Sequence, residues 1–146
     1  YLNRGELPMP VCANGQTGGL AGIDRFLRKW VPVITRSPAF RKNGLLIVTF
    51  DESDGKAPDA FDACCNEMPL TTDPNRPGFQ GPGGGRIGAV LLSPYIRPGT
   101  VSSVPYNHYS MLKSIEDLFG LPYLGHAGQA GLVPFGTDIY NNLPGA

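Results

Sequence analysis

Asp51 and Glu52 are adjacent carboxylates that follow directly on an apolar run, Leu45-Leu46-Ile47-Val48-Thr49-Phe50. A strand built from that run aims the first carboxylate beyond its carboxyl end, the edge at which open α/β sheets bind ligands. Seven of the twelve acidic residues lie between Asp51 and Asp73, against one lysine, Lys56. Carboxylates gathered in this way raise one another's pKa unless a cation neutralises them, and oxygen donors suit Mg²⁺, Ca²⁺ or Mn²⁺. The strand-end position singles out Asp51, whereas Asp59, Asp62, Glu67 and Asp73 read as a solvated acidic loop.

His108 is the second candidate. It stands just inside a helix start and shares a face with Met111, Leu112 and Ile115, where a histidine is usually a core or capping residue. This helix follows a strand, however, so its start is expected at the same carboxyl edge of the sheet as Asp51, where an imidazole can meet an anion or a metal. His126, in Leu124-Gly125-His126-Ala127, has no such placement and reads as surface. Gly83-Gly84-Gly85-Arg86 precedes a strand, whereas a phosphate cradle needs its glycines after a strand and before a helix. Three cysteines, Cys12, Cys64 and Cys65, make an odd count. Sequence neighbours rarely pair, so a disulfide, if formed, is expected between Cys12 and Cys64 or Cys65.

The elements that must position these groups can be read from apolar spacing. Ile23, Phe26, Leu27, Trp30, Val31 and Ile34 recur at intervals of three and four and predict a helix, kinked or ended by Pro32. Ser37-Pro38 starts a short turn of helix that Asn43-Gly44 stops. The run at 45–50 lacks polar alternation, which predicts a strand covered on both faces, as in a parallel sheet. Residues 55–86 are rich in Gly and Pro and read as a long loop of the kind that usually has a function. A second strand is expected at about Ile87–Leu92. Asn107 caps a second helix, whose apolar face is Tyr109, Met111, Leu112, Ile115, Leu118 and Phe119, and Gly120 ends it.

The whole is an α/β arrangement, with an irregular lead-in at 1–18, a core at 19–121 and an irregular tail at 122–146. Two strands cannot bury the surface that such a run demands, so further strands are expected from elsewhere. Twelve basic residues balance twelve acidic ones, which leaves no basic excess to draw the chain to nucleic acid. The longest apolar run is far too short to span a bilayer.

Leu45 to Glu52 resembles the strand and acidic pair of a bacterial phosphoesterase family that holds phospholipase C-type enzymes and acid phosphatases, in the alkaline phosphatase superfamily. Gly85-Arg86-Ile87-Gly88-Ala89-Val90-Leu91-Leu92-Ser93-Pro94-Tyr95-Ile96-Arg97-Pro98-Gly99 is similar to its second motif. Tyr106-Asn107-His108-Tyr109-Ser110-Met111-Leu112 with Ile115-Glu116-Asp117-Leu118-Phe119-Gly120-Leu121 is similar to its third. The resemblance implies a three-layer α/β/α sandwich, of which this chain is the carboxyl-terminal part. It implies metal-dependent hydrolysis of phosphate esters with a divalent ion, Mg²⁺, Ca²⁺, Mn²⁺ or Zn²⁺. It assigns Asp51, Glu52 and His108 to the metal or phosphate site, and it implies a secreted or periplasmic protein.

Two departures stand out. Where many members continue with two glycines and a later histidine, this chain has Ser53-Asp54-Gly55 and no histidine between 55 and 86, so Asp54 is a possible additional ligand. Nothing in residues 1–44 resembles the family's amino-terminal acidic ligand or its Ser or Thr nucleophile. The 146 residues alone are therefore expected to be inactive, with the remainder supplied by an amino-terminal part of the same protein or by another chain. The alternative is a non-catalytic module that keeps the fold and binds a partner.

Overall fold

The computed structural model describes residues 18–53, 56–60, 62–65 and 83–143. Cys12, Asp54, Glu67, Asp73 and the lead-in at 1–17 lie outside the described residues. The chain divides into two compact units, Tyr1–Leu45 and Leu46–Ala146.

The first unit carries α1 (Leu20–Thr35) and α2 (Pro38–Asn43). Helical spacing of apolar residues explains α1, but Pro32 does not end it; the helix runs on to Thr35, and Pro32 O accepts the Arg36 amide at 3.2 Å. Ser37 Oγ accepts the Phe40 amide at 3.2 Å, and Pro38 takes the first helical position, where its missing N–H costs nothing. α2 closes at Gly44, where a Cβ would come within 2.5 Å of Phe40, so the helix can turn out only through a residue without a side chain.

The second unit carries β1 (Leu46–Thr49), β2 (Ala89–Leu92), α3 (His108–Phe119) and a 3₁₀ turn at Gly125–Gly128. The strands pair antiparallel, with Leu46 opposite Leu92 and Thr49 opposite Ala89. This corrects the expectation of a parallel, doubly covered sheet: β1 is half-buried throughout, and the first two residues of β2 are exposed. A parallel pair requires a crossover, usually a helix, and no helix occurs among the described residues between 50 and 88. Among the described residues the two strands pair with each other alone, so the further strands inferred from the run at 45–50 are not seen.

Both ends of α3 follow the sequence signals. Asn107 Oδ1 accepts the Ser110 amide at 2.9 Å, and Gly120 takes φ 62° past the end. Its buried face does not. Ser110, Ser114 and Glu116 are buried, while Leu118 is 60% and Phe119 74% exposed. The interior face is polar, and most of its groups find partners within α3 or on the tail, Glu116 Oε2 excepted. Ser114 Oγ donates to Ser110 O at 2.6 Å and accepts the Phe135 amide at 2.7 Å, and Glu116 Oε1 accepts the Leu124 amide at 3.0 Å. Buried polar atoms are tolerated where such partners exist. The tail therefore packs on α3, and Ala127, Leu132 and Ile139 are buried within it.

Candidate active site

Because β1 and β2 are antiparallel, the end of β1 that carries Asp51 faces the start of β2, not its end. His108 reaches Asp51 by a different route from the one that strand-to-helix logic implies. The chain leaves β2 at the opposite end and turns back through residues 93–107, and α3 starts beside Asp51. His108 Nε2 lies 2.8 Å from the Asp51 main-chain oxygen. A carbonyl oxygen only accepts, so Nε2 is the protonated nitrogen and Nδ1 is the one left for other chemistry.

Asp51, Glu52 and His108 line one cavity of about 880 Å³ within the second unit. Asp59 and Asp62, which read as solvated loop, also line it, as does Arg86. All three sequence candidates in the described region are exposed. The glycine run ahead of Arg86 serves as a close-packed strap. Gly84 O accepts the Ser53 amide at 2.8 Å, and the Gly85 amide donates to Asp62 O at 3.0 Å. Gly85 has φ 75°, and a Cβ there would lie 2.5 Å from Asp59 O and against Ser53 Oγ. The strap thus passes between the acidic pair and residues 59, 60, 62 and 63, and it delivers Arg86 to the cavity wall.

Cys64 and Cys65 are joined to each other, against the expectation that neighbours do not pair. Their sulfurs lie 3.7 and 3.2 Å from the carbonyl oxygens of Tyr106 and Pro105, just ahead of His108. Cys65 takes φ 63° to permit this. His126 is half-buried, not surface, with its ring 5.2 Å from that of Tyr109.

The family model for the phosphoesterase family matches residues 18–122, which include every element from α1 to α3. The chain belongs to the phosphoesterase family. It is 30% identical over 125 residues to a phosphatidylinositol-3-phosphatase of Mycobacterium tuberculosis, a match that covers 86% of this chain and 31% of the relative. The chain therefore spans about a third of that relative's length.

Among the described residues, no three His, Cys, Asp or Glu side chains are grouped closely enough to hold a metal ion. Asp51, Glu52 and His108 share one cavity without by themselves forming a metal site. Asp54 lies outside the described residues. No helix among the described residues is long and apolar enough to cross a membrane.

Sequence reasoning missed the groups that hold the loop before His108. Tyr106 OH donates to Asp138 Oδ1 at 2.8 Å, Ser102 Oγ donates to Asp138 Oδ2, and the Gly136 amide donates to Tyr106 OH at 3.3 Å. The Tyr106 and Phe135 rings meet edge to face at 4.9 Å. Burial alone would raise the Asp138 pKa, but the Ser102 and Tyr106 hydroxyls outweigh it and hold it below the ordinary value of 3.8. Burial, and then the bond to Asp138, push Tyr106 above 10.0. No local signal marks Asp138, which stands 32 residues from Tyr106.

Proposed function

We propose that this chain supplies part of the active site of a metal-dependent phosphate-ester hydrolase of the acid phosphatase or phospholipase C type, within a three-layer α/β/α sandwich. The observation that carries the reading is the meeting of His108 with the Asp51 main chain on the wall of a cavity inside the family-matched segment. The similarity to the mycobacterial phosphatidylinositol-3-phosphatase supports a phosphomonoester on a lipid headgroup as one substrate class.

Asp51, Glu52 and His108 would contribute to a divalent-ion site whose further ligands lie outside the described residues, with Asp54 one candidate. A divalent ion, when bound, supplies charge stabilisation for a phosphoryl oxygen. The part left to this chain is to hold two carboxylates and one imidazole nitrogen, Nδ1, at fixed positions on the cavity wall. The rest of the fold and the nucleophile would come from sequence beyond these 146 residues, on the same polypeptide or on another chain. This reading includes export to an oxidising compartment, which the Cys64–Cys65 bond supports.

The test is hydrolysis of a chromogenic phosphate monoester by the whole protein that carries these residues, with and without a chelator. Turnover should fall on chelation, and it should fall on the order of 10²-fold or more in His108→Gln and in Asp51→Asn. Turnover indifferent to both substitutions would show that the site lies elsewhere. No turnover with any divalent ion would leave the non-catalytic module as the reading.

A further inference from the structure

Two hydroxyls that anchor the loop before α3 end on a single carboxylate. Ser102 and Tyr106 donate to the two oxygens of Asp138, and Ser102 Oγ also accepts the Val104 amide at 3.1 Å. One carboxylate therefore fixes both ends of the segment 102–106. The Tyr106 hydroxyl is closed from its other side by the Gly136 amide, so its orientation is set by a donor and an acceptor on the same tail. From Tyr106 to His108 the chain advances two residues, a reach of at most about 7 Å. Asn107 between them is itself held by its cap bond to Ser110. An anchored Tyr106 thus leaves His108 little freedom to leave the Asp51 carbonyl.

We propose that Asp138 is a positioning residue for His108: by holding Tyr106 and Ser102 it keeps the imidazole on the Asp51 carbonyl, with Nε2 protonated and Nδ1 available to the cavity. The proposal rests on the reading of His108 as an active-site residue, but its measurement does not. A hydrogen-bonded imidazole N–H is protected from exchange with water, and a through-bond coupling from Nε2 to the accepting carbonyl carbon identifies its partner. His126, whose ring lies 5.2 Å from that of Tyr109 on the same helix as His108, is the internal reference.

NMR of the whole protein that carries these residues, labelled at histidine and at the Asp51 carbonyl, should show a protected His108 Hε2 signal coupled to the Asp51 carbonyl carbon. That signal should be lost in Asp138→Asn and in Tyr106→Phe, while the His126 resonances and the α3 amide signals stay in place. Tyr106→Phe removes one hydroxyl and keeps the ring against Phe135, so it decides the matter if Asp138→Asn does not fold. Retention of the His108 signal in Tyr106→Phe overturns the proposal. So does its loss together with the α3 amide signals, which would mean general loosening. Absence of phosphatase activity would remove the role assigned to His108 and leave the coupling to Asp138 standing.

Discussion

The contact between Asp51 and His108 joins two residue types through different parts of each. The imidazole meets the main chain of Asp51, and the carboxylate of Asp51 is free of that bond. The two contributions can therefore be separated. Asp51→Ala should leave the protected His108 Hε2 signal in place while removing the carboxylate's share of turnover; loss of that signal would show that the carboxylate also orients the ring. Asp138 and Tyr106 set the pH window of the loop between them. A carboxyl group whose folded pKa lies below its usual value adds stability above that value and loses it as the pH falls through the folded one. Tyr106, raised above 10.0, adds stability that is complete below 10.0 and is lost as the pH rises through its folded value. The Asp138 carboxyl carbon should titrate with a midpoint below 3.8, and Tyr106→Phe should move that midpoint up by removing one of the two hydroxyl donors. A midpoint that does not move would show that the tyrosine bond contributes nothing to the ionised form.

The ends of α3 were legible because Asn107 acts through its own side chain and Gly120 through its own backbone, within four residues of where they stand. The face it buries was not, since Ser114 Oγ and Glu116 Oε1 meet amides on the tail that no periodicity announces. The direction of β2 was misread for a related reason. An unalternating run such as Leu45–Phe50 reports that apolar cover is wanted, not which way the next strand runs. The proximity of Asp51 and His108 depends on residues 93–107 turning back, a path set by bonds to Asp138 and Asn141. Arg97 N donates to Asn141 Oδ1 at 2.9 Å, for instance. Among the helix contacts, Ser114 is the most exacting. Ser114→Ala leaves the Phe135 amide without its acceptor and should cost about 1–3 kcal/mol in urea unfolding. A cost near zero would mean that water replaces the hydroxyl. At the strap, Gly85→Ala forces a positive φ and a contact with Asp59 O, and it should destabilise the second unit by about 1–3 kcal/mol. A chain of unchanged stability would show that the strap can relocate.

Over the whole molecule, apolar groups remain in water. No residue of α1 is buried, with Leu20 70% and Phe26 61% exposed, and in the second unit Val101 is 90% exposed. Solvated apolar surface on this scale marks a face meant for cover. The isolated 146 residues should therefore bind a hydrophobic dye and associate on concentration, and they should turn over no phosphate ester. A monodisperse monomer with cooperative hydrogen-exchange protection of residues 45–50 would show that these residues suffice as a fold. Metal-stimulated turnover by the same chain, abolished in Asp51→Ala, would show that they suffice as an enzyme.

The carboxylate at Asp138 also sets an order of events in the making of the protein. The family-matched segment closes at residue 122, and the residues that grip Ser102 and Tyr106 are translated after it. While residues 123–137 are being added, the sequence of β1, β2 and α3 is already translated and the loop ahead of His108 is still ungripped. Maturation of the site then waits on residues translated after that segment, and a frameshift between residues 122 and 138 removes the grip while altering only Phe135 and Ile139 of the cavity wall. Natural variants that end soon after residue 122 would keep the family's signature and lose the grip on His108.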